Sequence, residues 1–352
     1  MANPSLQIGN SNWAIKEDNL LGYSTAGTRF LPQPITMTRA SAGTRVNPQG
    51  LVETVELLGS EEVTNGDFET LGSDLVTNGD FSNGGVGWEG SNTTFSNGVA
   101  AIAYAGSGKL TAVSEINYTN GETYKVSLTL KGSGGVVNIN ADATSPTNTG
   151  GLNQNVTLNG ETQNIEVYFQ ADGNANNIVV QGVGVASYNI YVDNIVIKQT
   201  GIGWTKGSGW TISGGTAILD GTQAGSSSLA STNMSVTAGK TYKVTVNVSA
   251  TSTGFRLYDT LGVVAYGLFI GENVFYRTVT SSNYSIIPLG LAGASGTISN
   301  VSVKEYTANN LARVDYDGTA SSLLVEPERT NLIQYSEDFS QSVWRKRTSD
   351  ST

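Results

Sequence analysis

Trp88, Trp204 and Trp210 are the residues of this 352-residue chain best suited to hold a ligand. An indole offers a flat apolar face, and that face suits the C–H side of a pyranose ring. Trp88 and Trp204 stand at the same place in an internal repeat, which favours core packing for both; Phe95 stands opposite Trp210 with the same implication. Tyr104, Tyr118, Tyr266 and Tyr284 are weaker candidates of the same kind. Glycoside hydrolysis needs two carboxyl groups converging at about 5–9 Å. The acid pairs Glu61-Glu62, Asp315-Asp317 and Glu326-Glu328 lie in flanking stretches, where solvated charge is the default. The chain has no histidine and no cysteine. That removes imidazole bases, thiol nucleophiles, disulfides and Cys/His zinc sites, and a non-enzyme is expected.

Any such site must be carried by strands. Charged residues make up only 14% of the chain, while Gly occurs 43 times. Y-K-V-S-L-T-L (124–130), N-I-E-V-Y-F-Q (164–170), Y-N-I-Y-V (188–192), Y-K-V-T-V-N-V (242–248) and I-S-N-V-S-V-K (298–304) alternate apolar and polar residues, the period of a half-buried strand. Asn120-Gly121, Asn159-Gly160, Asp172-Gly173 and Ala238-Gly239 supply turns between them. No segment reads as an amphipathic helix longer than two turns. The fold class expected is all-β, built as sandwiches.

The strands repeat. G-V-G-W (85–88) matches G-I-G-W (201–204), T-Y-K-V (123–126) matches T-Y-K-V (241–244), and V-D-N-I-V-I-K (192–198) matches I-S-N-V-S-V-K (298–304). Two copies of one β-domain therefore stand in tandem. A shorter repeat is letter-perfect: V-T-N-G-D-F at 63–68 returns at 76–81. Asn-Gly bends the chain and Asp-Phe continues it, so each phrase can open a strand. Copy two leads into the first domain. Copy one has no room for a domain of its own and is expected as an extra edge strand or strap across the first domain, or as a recombination scar. The second domain lacks the phrase, so its opening strand is degenerate or supplied from elsewhere.

N-G-D-F-S-N-G-G-V-G-W, with the later Y-K-V-S-L-T-L and Y-V-D-N-I-V-I-K strands, resembles the family 4/9-type carbohydrate-binding modules, which are β-jelly rolls. The flanks T-R-A-S-A-G-T-R-V-N (38–47) and L-L-V-E-P-E-R-T-N-L (323–332) resemble a phrase of bacteriophage fibre and appendage proteins. The organisation these resemblances imply is an irregular N-terminal anchoring arm (1–60), two tandem jelly-roll β-sandwiches (61–200 and 201–308) and a C-terminal β segment (309–352) leading into a further domain.

The same resemblances imply a role and sites. Jelly rolls of this type often hold a structural calcium near the N-G-D-F-E phrase and an Asp of the last strand; the matching positions are Asp80 and Asp193, with Asp67 and Glu69. Ser82 stands where the pattern has Glu, and Ser299 replaces Asp193 in the second copy, which counts against the metal. The role implied is a virion fibre, spike or decoration subunit, homotrimeric, held to capsid or tail by Trp13, Phe30, Pro32 and Pro34, and adhering to host-surface glycan. The flanking phrases are expected to touch, with Glu326 and Glu328 against Arg39 or Arg45. A ligand-free spacer and the accessory region of an extracellular carbohydrate-active protein are the rivals. The net charge of −10 disfavours nucleic acid, no apolar run reaches the ~18 residues of a membrane helix, and the N-terminus lacks signal-peptide order, so synthesis in a host cytoplasm is expected.

Overall fold

The structure, a computed structural model, describes residues 5–6, 23–25, 29–31, 43–142, 150–251, 254–265, 267–309, 311, 313–317 and 320–324. The chain divides into two units, residues 1–57 with 307–352, and residues 58–306. All regular structure among the described residues is strand.

Both ends of the chain build the first unit. Arg313–Asp317 pairs with Ala320–Leu324, which pairs with Ser5–Leu6. The hairpin Gly43–Val46/Val52–Val55 turns at Asn47, whose side-chain oxygen accepts the backbone N–H groups of Gln49 and Leu51. Val46 N–H donates to the Asp315 carboxylate at 2.9 Å, and Arg313 Nε donates to Thr44 O at 2.6 Å. Residues of the first flanking phrase thus meet the strand Arg313–Asp317, which precedes the second phrase. Arg45 pairs with Glu53 at 2.7 Å, while Arg39, Glu326 and Glu328 lie outside the described residues. The arm and the C-terminal segment are halves of one unit rather than two separate ones.

The second unit holds two sandwiches. The first pairs the sheet Trp88–Ser91, Lys109–Ala112, Val179–Val183, Ser133–Asn140, Asn153–Asn159 with the sheet Thr93–Ser96, Val99–Ala105, Ser187–Gln199, Thr123–Lys131, Gln163–Gln170. The second sandwich repeats this order strand for strand. Trp204–Lys206, Ser227–Ser231, Ile286–Gly290, Phe255–Asp259 and Gly262–Ala265 face Trp210–Ser213, Thr216–Asp220, Ser295–Thr307, Thr241–Thr251 and Gly271–Thr278. Alternation puts Tyr124, Val126, Leu128 and Leu130 into one core and Tyr242, Val244, Val246 and Val248 into the other. Each tyrosine also closes its turn: Thr119 N–H donates to Tyr124 Oη at 2.7 Å and Thr237 N–H to Tyr242 Oη at 2.9 Å.

Copy one of V-T-N-G-D-F does not strap the first sandwich. Val63 and Phe68 are buried in the core of the second. The two phrases make the same contacts in different sandwiches. Phe68 lies 5.2 Å from Trp204 and Phe81 lies 5.3 Å from Trp88. Each indole N–H donates to the Asn carbonyl of its phrase at 2.9 Å, Trp204 to Asn65 and Trp88 to Asn78. Val301 N–H donates to Gly66 O at 2.8 Å, and Ile195 N–H to Gly79 O at 2.9 Å. The amides of Asn65 and Asn78 donate to the carbonyls of Ile202 and Val86, both at 2.8 Å. Glu61 accepts Val303 N–H and Asp74 accepts Ile197 N–H, at 2.7 and 3.0 Å.

The second sandwich is therefore discontinuous. It takes its opening segment from residues 58–70 and the rest from 201–306, with the first sandwich inserted between them and its ends joined at Gly72 N–H to Gln199 O, 2.8 Å. Residues 61–70 belong to this second domain, not to the first. The supply of its opening strand from elsewhere is the alternative that the structure bears out. Lys206, nearly buried, ties the sandwiches together through Glu122 at 3.1 Å and Gly121 O at 3.2 Å.

The bend itself explains the letters. A Cβ at Gly66 would overlap Val301 O, and one at Gly79 would overlap Ile195 O. Only glycine admits the strand that close. Phe68 and Phe81 adopt φ of 60° and 48°, a region bulky residues avoid, which insertion of each ring into a core compensates. Gly66→Ala is expected to destabilise only the second sandwich and Gly79→Ala only the first, each by more than about 1 kcal/mol. Thermal unfolding with each sandwich followed by its own tryptophans measures this.

Candidate functional site

Trp88, Trp204 and Trp210 are 5%, 6% and 0% exposed. Trp88 and Trp204 clamp the two phrases, and Trp210 packs edge-on against Phe255 at 5.8 Å. Burial closes all three faces to a sugar, which corrects their reading as stacking platforms in favour of the core packing that their repeat positions suggested. Tyr104 and Tyr284 are buried with their hydroxyls donating to Gly184 O and Asp259 Oδ2, at 2.7 and 2.9 Å. Tyr118 is half-buried against Tyr124 and Phe169, and Tyr266 lies outside the described residues. Trp13, Pro32 and Pro34 also lie outside them; Phe30 is in the strand Arg29–Leu31.

The calcium positions are turned onto their own backbone. Asp80 Oδ1 accepts Ser82 N–H and Ser82 Oγ–H at 3.2 and 3.0 Å, which holds its carboxyl below the usual range. Asp67 accepts Glu69 N–H at 3.2 Å, and Asp193 accepts Asn194 N–H at 2.7 Å. Glu69 lies over the turn at Gly215. Calcium takes 6–8 oxygen ligands, and among the described residues no three acidic side chains converge. The phrases are held by their Asn side chains and glycine carbonyls. The flanking acids also cap backbone, Glu61 at Val63 and Val303 and Asp315 at Val46.

A different surface brings polar chemistry together, the outer face of the first sandwich's Trp88–Ser91 sheet. In Ser133–Asn140, Val137 and Ile139 point inward at 0% exposure, so Asn138 and Asn140 point outward. In Asn153–Asn159, Val156 and Leu158 go in and Asn153 and Asn155 go out. Strand register then lines up a row across five strands: Asn155, Asn138, Gln181, Lys109, Ser91. Beside it runs a second row: Asn153, Asn140, Val179, Thr111, Glu89. Strands about 4.8 Å apart spread each row over roughly 19 Å.

The amides are already ordered. Asn138 Nδ2 donates to Asn153 Oδ1 and Asn155 Oδ1 at 2.8 and 2.9 Å, and Asn140 Nδ2 donates to Asn138 Oδ1 at 3.0 Å. Asn138 and Asn140 are buried, whereas Asn153 and Asn155 are exposed. A carboxamide both donates and accepts, which matches a hydroxyl group. The row of buried amides fixes the orientation of the exposed ones before any ligand arrives. The sequence signal for this face is the N-x-N spacing in 138–140 and 153–155, within otherwise apolar alternation.

The same positions of the second sandwich carry other chemistry. Ser228, Leu289 and Arg256 share one row; Ile287, Tyr258 and Val263 share the next, and Thr205 stands beside Ala230. Two sandwiches of one strand order thus present an amide face and a largely apolar face.

No family model and no curated protein matches the chain. Among solved structures, it is similar to a structure described as "CBM4 structure and function", at 19% identity over 34% of this chain and 99% of that one, with a TM-score of 0.30. A family 61 carbohydrate-binding module in complex with β-1,4-galactotriose matches at 16% identity over 36% of this chain and 97% of that one, TM-score 0.27. The tandem CBM22 domains of Paenibacillus barcinonensis Xyn10C match at 9% identity over 66% and 98%, TM-score 0.25. The architecture assigned to this chain rests on its own strand order, not on these likenesses.

Proposed function

We propose that this protein is a non-catalytic glycan-binding protein whose binding face is the amide-lined sheet of the first sandwich. The observation that carries the reading is the row Asn155, Asn138, Gln181, Lys109, Ser91, a strip of donors and acceptors about as long as three or four sugar residues. Ordered amides can take a run of hydroxyls without first losing rotamer freedom. Tyr258 on the matching face of the second sandwich would add an aromatic contact of a different kind.

The setting we propose is a virion surface, as a fibre, spike or decoration subunit displayed as a homotrimer. It is supported by the phage-like phrases at 38–47 and 323–332, whose neighbouring residues meet in one unit. Several weak sites on one particle then add up through multivalency.

Glycan-array binding of the full chain is the test. Asn155→Ala is expected to weaken binding about fivefold, near 1 kcal/mol for a lost hydrogen bond, and to lower the melting temperature slightly because the buried Asn138 amide loses one of its two acceptors. No binding across a broad array would favour the ligand-free spacer. That reading has one observation in its favour, the burial of all three candidate tryptophans.

A further inference from the structure

The slot that holds copy one is built from residues far along the chain: the Trp204 ring, Ile202 O and Val301 N–H. Its occupant arrives through a short run, Glu69 to Ser73, in which Glu69, Thr70, Leu71 and Ser73 are exposed. The slot reads six residues that occur twice per chain, and the equivalent slot of the first sandwich makes the same hydrogen bonds with the same six. Nothing in those contacts depends on which chain supplies the segment. Opening at the run 69–73 lets residues 58–68 leave the slot once Glu61 parts from Val303 and the pairings of residues 5–6 and 44–46 with residues 313–324 also open, and each of those contacts can re-form with another molecule.

We infer that the slot of the second sandwich is also a docking site for a second copy of this chain, which delivers its own V-T-N-G-D-F segment by exchange across a hinge at residues 69–73. Such an exchange is domain swapping. Closed and exchanged forms share every interface except the hinge, so hinge geometry and protein concentration decide between them. The barrier is withdrawal of Phe68 and Asn65 from the core together with opening of the pairings between residues 5–6 and 44–46 and residues 313–324, so exchange takes place during folding rather than from the folded chain. The inference is independent of the glycan reading.

The test uses full-length chains. Wild-type protein in light and heavy nitrogen is co-refolded at high concentration, and native mass spectrometry is expected to show a mixed-isotope dimer. Deleting Leu71 tightens the hinge and is expected to double the mass of the main species. In a complementation arm, Phe68→Ala (segment lost) and Trp204→Ala (slot lost) are refolded separately and together. Together they are expected to regain up to half of the lost second-sandwich transition, one intact pair per two chains. Single-chain masses in both the isotope and the hinge experiments would overturn the inference, whether or not the two substituted chains fold.

Discussion

Phe68→Ala is expected to unfold the second sandwich and leave the first intact, although residue 68 precedes the first sandwich in the chain. The ring is 2% exposed and packs on Trp204 within the second core. Truncating a buried phenylalanine costs about 3–5 kcal/mol, a large share of the stability of a domain this size. Phe81→Ala, in the same six-letter phrase, is expected to cost the first sandwich as much, through Trp88 and Phe95. Denaturant unfolding resolves the two if Trp88 reports one sandwich and Trp204 with Trp210 the other. Loss of the Trp88 transition in Phe68→Ala would mean that copy one belongs to the first sandwich after all. The insertion makes a further demand. Joining Thr70 to Gly201 removes the first sandwich while leaving both parts of the second in place, so the shortened chain is expected to keep the second transition.

Arg277→Ala is the other change with a large expected effect. The Asp259 side chain is fully buried and accepts Arg277 Nε and a second guanidinium nitrogen at 2.7 and 3.0 Å, Tyr284 Oη–H at 2.9 Å and Leu261 N–H at 2.8 Å. Removing the guanidinium strands a buried carboxylate, at a cost of about 3–5 kcal/mol. Burial and the neighbouring Asp259 carboxylate hold the Tyr284 phenol well above its ordinary value, so Tyr284 keeps its proton and donates a hydrogen bond to that carboxylate. Asp259→Asn combined with Arg277→Met removes both charges, and it is expected to recover much of the loss because no unpaired ion remains. Urea melts of the single and double variants give the coupling directly. Equal stability of Arg277→Ala and wild type would show that the pair is not needed to hold Asp259.

Local chemistry made much of this molecule legible before any coordinates. Tyr124, Val126, Leu128 and Leu130 alternate with polar residues, and a strand has only two faces, so their inward direction follows from the letters. Matching phrases at 85–88 and 201–204 likewise implied two domains of one topology, because like sequences at like spacing form like strands. The destination of copy one was not legible. Its six residues are identical to those of copy two, so their own preferences cannot choose a partner. The choice was made by a vacancy, since the second sandwich has Trp204 and Val301 waiting and no phrase of its own after residue 200. The amide face was half legible. Asn138, Asn140, Asn153 and Asn155 had to lie outside the core, but only strand register sets Asn155 beside Asn138, Gln181 and Lys109. Sequence alone determined which residues turn inward and that the β-unit is repeated, because those follow from a two-residue period. Tertiary structure alone decided which strand completes which core and which side chains become neighbours, because those depend on contacts between strands far apart in the chain, more than a hundred positions for copy one and its sandwich.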